Sequence, residues 1–372
     1  MFLMMAEALA IGRVARALPD SAIWKFLHNQ QSHVAWTGCV LHDLIQPSFS
    51  FLVGVALPFS IASRVARGHT FGKMFVHAAW RSLLLIALGI FLRSVGRPQT
   101  YFTFEDTLTQ IGLGYTFLFL LGMRSVRVQW IGFAVIVVGY WLAFALYPLP
   151  SPDFDWTANG VPADWPHLKG FAAHWDKNSN AAMAFDRWFL NLFPREKPFT
   201  NNGGGYATLS FVPTLATMVL GLIAGGWLKS NLTHREKLLH FVIAGVCGLA
   251  LGIALHVLGV CPIVKRIWTP SWVLFSDGWC FLFLAAFYAI IEVRQLKGWA
   301  FPLIVIGMNS IAAYCIAHLF EDFIGKALDR HLGKHFFQTL SPYDPFVRGT
   351  LILTVLWLIL FWMYRRRIFL KI

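Results

Sequence analysis

The sequence predicts an all-α fold, a polytopic bundle of about ten transmembrane helices, and three observations support this class. Apolar residues make up 57% of the 372 residues and charged residues only 13%, and the mean hydropathy is +0.59. Apolar runs long enough to cross a bilayer recur along the chain. The net charge of +13 collects in the short segments between these runs. We expect a single domain over residues 1–372.

Each predicted span is an apolar run of about 17–25 residues, the length that a helix needs to cross the hydrocarbon. The stretch MFLMMAEALAIGRVARAL is apolar but short for a complete span. Its charges follow the apolar part, unlike those of a signal peptide, so we interpret it as the distal part of a first helix. The later runs lie at 43–62, 80–97, 107–123, 129–148, 207–228, 238–259, 272–291, 299–319 and 347–364.

Lysine and arginine in the short loops predict the orientation of the bundle, because these residues favour the cytoplasmic side. We therefore expect the C-terminus in the cytoplasm. We expect His33 and the segment 148–205 to lie on the opposite, extracytoplasmic side, where the segment forms a loop or cap. The residues that define the cytoplasmic side are Arg64, Arg67, Lys73, Arg81, Arg124, Arg127, Lys229, Arg235, Lys237, Arg294, Lys297, Arg365, Arg366, Arg367 and Lys371.

Several function classes find no support in the sequence. The positive charge follows topology, and no nucleic-acid-binding motif accompanies it, so we do not expect nucleic acid as a partner. Walker and GxGxxG motifs are missing, as is a repeat period. The cysteines have no CxxC spacing, and we expect no metal site. These cysteines are Cys39, Cys247, Cys261, Cys280 and Cys315.

The first full span carries an unusual polar face. Asp43, Pro47, Ser50 and Gly54 follow at i, i+4, i+7 and i+11, so a helix places them on one side. A face of small residues is typical of close helix packing, and we favour that interpretation for Ser50 and Gly54. An intramembrane carboxylate is costly unless it has a partner, so Asp43 is a functional candidate.

His33 stands just before this span and is a candidate for chemistry. A neutral imidazole accepts a proton as a general base or attacks an acyl group as a nucleophile. The alternative is an ordinary solvated side chain at the membrane interface, and the sequence alone leaves both open.

A second polar stripe lies in GMNSIAAYCIAHLFED. Ser310, Tyr314, His318 and Glu321 share one helix face at i, i+4, i+8 and i+11, with Asn309 beside them. A hydroxyl, a phenol, an imidazole and a carboxylate inside a span indicate a cavity or relay. An interhelical hydrogen-bond network explains the same pattern equally well.

Further polar groups occur near predicted helix ends. In FEDTLTQIGLGY, Asp106 and Gln110 lie one turn apart at the outer mouth of a helix. Glu7 interrupts the apolar opening stretch. We expect Asp106 and Gln110 to contribute to substrate binding and Glu7 to be available as an orienting carboxylate.

Several of these segments resemble a known family when they are taken together. They are HVAWTG at 33–38, DLIQPSFSFLVG at 43–54, RIWTPSWVL at 266–274, GMNSIAAY at 307–314 and YRRRIFLKI at 364–372. In this order, and over nearly the whole chain, they are similar to the membrane acetyltransferases related to heparan-alpha-glucosaminide N-acetyltransferase.

The resemblance implies a membrane enzyme that takes acetyl from cytosolic acetyl-CoA and delivers it to an amino sugar or other glycan on the extracytoplasmic side. The histidine of the family's H-x-x-W-x-G motif, His33 here, is implied as the catalytic base or acyl carrier, with Asp43 or Glu7 orienting it. Substrate-binding roles are expected for Trp36, Asn309, Ser310, His318, Asp106 and Gln110. The resemblance is to a bacterial-type homologue, so the expected lipid bilayer partner is a bacterial inner membrane. No metal is required, and a homodimer is compatible with the resemblance.

The chain departs from the family pattern at three places. The first-helix motif S-L-D-x-x-R-G has no counterpart, which predicts a start upstream of Met1 or an altered first helix. Thr109-Gln110 stands where the family often has Gln-Arg, and Asn202–Gly205 replaces a D-P-E-G-like motif. Two other classes therefore remain open, a transporter or flippase for a sugar or lipid-linked solute, and a catalytically inactive scaffold. Repeated halves would favour transport, and none are visible.

Overall fold

The computed structural model of the protein describes residues 1–370, apart from the Lys334 side chain, and Lys371 of the basic C-terminus lies outside this range. Within it the chain is helical and contains no β-strand. One isolated antiparallel bridge joins Thr37 and Val264. The predicted all-α class is therefore confirmed.

The α-helices follow the apolar periodicity of the sequence. Short 3₁₀ turns lie at Ala6–Leu9 and Leu41–Leu44. In chain order the α-helices are α1 (Phe2–Met5), α2 (Ile11–Ala17), α3 (Ala22–Gln31), α4 (Ile45–Ala66), α5 (Phe71–Ser94), α6 (Thr107–Gly122), α7 (Val126–Ala145), α8 (Ala181–Phe189), α9 (Phe211–Lys229), α10 (His234–Val257), α11 (Pro270–Tyr288), α12 (Phe301–Met308), α13 (Ser310–Leu332), α14 (Lys334–Gln338) and α15 (Asp344–Arg365).

Seven helical segments of the described chain are long and apolar enough to cross a membrane, and the bent pair α12–α13 makes an eighth if it is one span. The shorter apolar helix α6 occupies the remaining predicted run. Every run from 43–62 to 347–364 therefore contains helix, and the protein is an integral membrane protein. The seven segments are Leu41–Ala66, Phe71–Ser94, Val126–Ala145, Thr208–Lys229, His234–Val257, Pro270–Val293 and Asp344–Arg365.

Several helices begin earlier than their apolar runs. α5 starts at Phe71 rather than 80, where Thr70 accepts a hydrogen bond from Lys73 N at 3.4 Å. α10 starts at His234 rather than 238, behind a capping box of Thr233 and Glu236. The apolar run marks only the part of a helix that needs an apolar environment, whereas the N-cap determines where the helix begins.

The opening stretch is not the continuous helix end that the sequence predicts. Ala10 has a left-handed backbone with φ of 50° and separates the turn Ala6–Leu9 from α2. Glu7 thus lies on a single 3₁₀ turn. The run 299–319 is also broken, because α12 and α13 meet at Asn309 with a bend of 72°. In both places tertiary contacts outweigh the local helical propensity.

The chain divides into two compact units, and the first consists of Met1–Val34, Cys39–Ile45 and Ile290–Ile372. Its core combines side chains of α12, α13 and α15 with Met5 and Ala8 of the opening stretch. Gly349 of α15 lies against the Ala8 backbone, where a Cβ would overlap the Ala8 carbonyl. This close approach holds the turn that carries Glu7 against α15.

The second unit comprises Ala35–Gly38 and Gln46–Ala289 and is built around α9. In the apolar window of α9, 78% of the residues are buried, against 17–33% in the other long spans. Gly54 of α4 lies against the Met218 backbone of α9, and Gly221 of α9 lies against Phe51 of α4. These close approaches agree with the packing interpretation of the small face on the first full span.

The segment 148–205 is an ordered part of the second unit. It contains a 3₁₀ helix at Gly170–Trp175 and the helix α8. Trp175 is fully buried in a cluster with Trp36, Tyr140 and Phe144. The buried indole ring connects this segment to α7, so the segment folds as part of that unit.

Candidate functional site

The centre of the candidate site is a hydrogen-bonded pair, His33 and Asp43. His33 Nδ1 lies 2.7 Å from Asp43 Oδ1. The carboxylate is fully buried, while 41% of the His33 side chain is exposed. The other oxygen, Oδ2, accepts from Val40 N at 3.2 Å and from Val34 N at 3.4 Å. Asp43 is therefore anchored on backbone amides and directs the imidazole toward solvent.

This pairing assigns the two nitrogens of the His33 ring. A carboxylate accepts hydrogen bonds but does not donate them, so Nδ1 of His33 carries the hydrogen and donates it in a hydrogen bond to Asp43. In the neutral ring the lone pair then lies on Nε2, which is the atom that accepts a proton. The arrangement is that of a base held by an orienting acid.

A second imidazole–carboxylate pair adjoins the first. His42 Nε2 lies 3.0 Å from Glu7 Oε1. The rings of His33 and His42 are 4.7 Å apart between centroids and tilted by 55°. The His42 side chain is 7% exposed and that of Glu7 is 56% exposed. The two pairs thus place four ionisable groups next to one another, in the order Asp43, His33, His42 and Glu7.

Two consecutive glutamines at the end of α3 hold both pairs in place. Gln31 Nε2 donates to Ala6 O at 2.6 Å, beside Glu7. Gln30 Oε1 accepts from Leu41 N at 3.0 Å, beside His42. Because both amides extend from one helix end, α3 sets the spacing between the turns Ala6–Leu9 and Leu41–Leu44.

The second polar stripe of the sequence belongs to the same unit. His318 lies on α13 and its Nδ1 donates to Tyr314 O at 2.9 Å, one turn earlier, while the two rings stack at 4.2 Å. When protonated, the His318 imidazole attracts the Glu7 carboxylate, as the His42 and His33 imidazoles do. The carboxylate of Glu321, also on α13, is repelled electrostatically by that of Glu7. The stripe therefore adds to the electrostatic surroundings of Glu7.

Asn309 and Ser310 lie at the break between α12 and α13. The Asn309 side chain is fully buried, donates from Nδ2 to Ile368 O at 2.9 Å and accepts from Leu370 N at 3.1 Å. Its amide therefore ties the C-terminal segment to the helix break. Ser310 is the first residue of α13. The substrate-binding role expected for both residues stays a prediction.

The other predicted binding residues lie in the second unit. Trp36 is 4% exposed, and its Nε1 donates to Trp175 O at 3.1 Å. Asp106 caps α6 by accepting from Leu108 N and Thr109 N. Gln110 Nε2 donates to Phe104 O at 2.6 Å and to Thr208 O at 3.2 Å. These contacts are local structural ones, and the substrate-binding roles of Trp36, Asp106 and Gln110 remain predictions.

His42, Gln30 and Gln31 carry no role in the sequence-based predictions. His42 directly precedes Asp43 in the chain, which is the one signal that would have drawn attention to it. The partner of His42, Glu7, is 35 positions away, and no local pattern predicts that contact. Among residues 1–370 no group of three or more His, Cys, Asp or Glu side chains could hold a metal ion.

Glu105, next to the predicted Asp106, is an acid with a strongly shifted pKa. Burial raises the pKa of its carboxyl to about 7, from a usual value of 4.5. Asn202 Nδ2 donates to its Oε2. The nearby charges of Arg93 and Arg195 lower this pKa, whereas those of Asp186 and Asp106 raise it.

We expect Glu105→Gln to stabilise the protein at high pH. The raised pKa means that the native state keeps a proton that the unfolded chain loses between pH 4.5 and about 7, so unfolding free energy falls as pH rises through this window. The variant should gain about 1–2 kcal/mol above pH 7, allowing for partial exposure, and nothing below pH 4.5.

Thermal unfolding of the wild type and of Glu105→Gln between pH 4 and pH 8 measures this difference in stability. Glu196→Gln makes the same charge change at an exposed position of the segment 148–205 and serves as the control. A stability gain for Glu105→Gln that is equal at both ends of the pH range would contradict the assignment.

Comparison with known proteins finds a distant relationship to two curated proteins of the same name. No protein-family profile matches the chain. It is 25% identical over 390 residues to heparan-alpha-glucosaminide N-acetyltransferase of Homo sapiens, covering 91% of the chain and 55% of the relative. The Mus musculus protein of the same name is 24% identical over 404 residues, with 94% and 57% covered. The chain spans about half the length of these curated relatives and is distantly related to them.

Proposed function

We propose that the protein is a transmembrane acetyltransferase that transfers an acetyl group from acetyl-CoA to the amine of an amino sugar or another glycan acceptor. The observation that carries the proposal is the His33–Asp43 pair, a partly exposed imidazole oriented by a buried carboxylate. The distant relationship to two N-acetyltransferases supports the reaction class.

Acyl transfer needs few groups from the protein, because a thioester is already an activated acyl donor. In the proposed step the amine nitrogen forms a bond to the thioester carbonyl carbon, and the bond from that carbon to sulfur breaks. His33 accepts a proton from the attacking nitrogen at Nε2, and Asp43 stabilises the imidazolium that results. No metal ion is needed for this route.

The charges of the loops support an orientation for the reaction. By the preference of Lys and Arg for the cytoplasmic side, we assign the C-terminus to the cytoplasm and the cap at 148–205 to the extracytoplasmic side. His33 precedes the first full span and is assigned to the same outer side. On this assignment acetyl-CoA supplies acetyl from the cytoplasm and the acceptor is a glycan outside it, in a bacterial inner membrane.

Acetyl-CoA binding and acceptor-dependent thiol release test the proposal. The full chain in detergent is titrated with acetyl-CoA while thermal unfolding is followed, and free CoA thiol is then measured on addition of glucosamine. We expect ligand-dependent stabilisation and thiol release with glucosamine but not with glucose, which lacks the amine. A chain that shows no thermal response to millimolar acetyl-CoA and releases no thiol would refute the acetyltransferase and favour a transporter.

A further inference from the structure

The stoichiometry of the proposed reaction creates a requirement for proton release. An amino sugar is mostly an ammonium ion at neutral pH, and only the neutral amine attacks a carbonyl. The balanced reaction is R–NH₃⁺ plus acetyl–S–CoA giving R–NH–acetyl plus CoA–SH plus H⁺. One of the two nitrogen-bound protons that leave goes to the thiolate, and the other must reach solvent in every turnover.

We propose that His42 and Glu7 form a proton exit for His33. The proposal rests on the acetyltransferase function above and adds to it two residues with a stated task. It is carried by the contact between the His33 and His42 rings and by the hydrogen bond from His42 to Glu7. His42 and Glu7 are positioning and relay residues, because neither is required to contact the reacting atoms.

The first transfer runs between the two imidazoles. Glu7 is an acceptor at the Nε2 side of His42, so the neutral His42 ring carries its hydrogen on Nε2 and its lone pair on Nδ1. With ring centroids 4.7 Å apart, a proton passes from His33 to Nδ1 of His42 directly or through one water molecule. The hydrogen on Nδ1 of His33, which is donated to Asp43 in a hydrogen bond, stays in place during this transfer.

The second transfer delivers the proton to solvent. When His42 gains a proton on Nδ1, its Nε2 proton moves to Glu7 Oε1, 3.0 Å away. His42 is 7% exposed and cannot release a proton readily by itself, whereas Glu7 is 56% exposed. Because the Glu7 carboxylate is exposed, it passes the proton on to solvent, and this release gives the relay its direction. His42 is then the Nδ1–H tautomer, and a flip of its ring restores the Nε2–H tautomer for the next turnover.

The scaffold around the two pairs keeps the relay aligned. Gln31 holds the Glu7 turn and Gln30 holds the His42 turn, both from the end of α3. A purely structural role is the competing explanation, in which the His42–Glu7 pair only fastens the two turns together. The two explanations predict different effects of a small proton acceptor in solution on a variant that lacks Glu7. Such an acceptor restores kcat if Glu7 carries protons, but not if Glu7 only fastens the turns.

Steady-state kinetics of Glu7→Gln separate these explanations. We expect kcat to fall about tenfold with the KM values for both substrates unchanged, and added imidazole to restore most of kcat by taking the proton from His42. Asp20→Asn, which neutralises an exposed carboxylate of the same unit, is the control and should need no rescue. An unchanged kcat, or a loss that imidazole does not restore, overturns the relay while wild-type transfer upholds the proposed function.

Histidine ¹⁵N NMR tests the relay without any turnover. We expect His42→Phe, which keeps an aromatic ring beside His33, to shift the His33 nitrogen signals, and Glu7→Gln to change the tautomer populations of His42. Unchanged histidine signals in both variants overturn the relay even if no acceptor is ever acetylated. Absent thiol release in the wild-type protein, by contrast, refutes the acetyltransferase alone.

Discussion

His33→Ala is expected to reduce acetyl transfer by about 10²-fold or more while the fold and acetyl-CoA binding persist. The imidazole is the base of the proposed reaction, and alanine provides no proton acceptor in its place. With 41% of the side chain exposed, little packing is lost on truncation. Thiol release with glucosamine measures the rate, and acetyl-CoA-dependent thermal stabilisation measures binding.

Two other histidines of the same unit provide controls for this variant. His28→Ala changes an exposed residue of α3 and should leave the rate near that of the wild type. His318→Ala should cost less than His33→Ala, because the His318 imidazole already donates to Tyr314 O on its own helix. Near-normal turnover in His33→Ala together with an inactive His318→Ala would transfer the catalytic role to α13.

Asp43→Asn is expected to lower the rate by about 10²–10⁴-fold without unfolding the protein. An asparagine keeps the shape and retains an oxygen for the Val40 and Val34 amides. Its amide nitrogen then faces His33 Nδ1 and donates to it, so the neutral ring takes the opposite tautomer. Nε2 carries the hydrogen in that tautomer and no longer accepts a proton.

We therefore expect Asp43→Asn to show a large loss in kcat but only a small change in Tm. Asp20→Asn removes an exposed acid from the same unit and controls for the change in net charge. If Asp43→Asn retained full activity, the carboxylate would be a packing feature of the turn Leu41–Leu44 and His33 would not depend on it.

The helices were largely predictable because each span must be apolar to enter a membrane, and this requirement is local in the sequence. The run 207–228 became Thr208–Lys229 with almost unchanged bounds. The break at Asn309 was not predictable, because the buried Asn309 amide bonds to Ile368 and Leu370 some 60 positions later. The left-handed Ala10 escaped prediction for a similar reason, since alanine ordinarily favours a helix.

For the candidate site, sequence determined more about the first pair than about the second. His33 and Asp43 lie ten positions apart in one motif-like segment, and both were candidates before the structure was known. Glu7 was noticed as a charge in an apolar stretch, but His42 had no assigned partner. The contact between them joins two short turns that α3 brings together through Gln30 and Gln31.

By itself, the sequence determined that the chain is a helical membrane protein and that His33 and Asp43 are its leading candidates, because hydropathy and helical spacing are properties of neighbouring residues. Only the tertiary structure decided which carboxylate serves which imidazole. Asp43 is held by the backbone amides of Val34 and Val40 and pairs with His33, which leaves Glu7 to His42. Hydrogen-bond geometry makes that choice, and it depends on distances between turns that no sequence pattern contains.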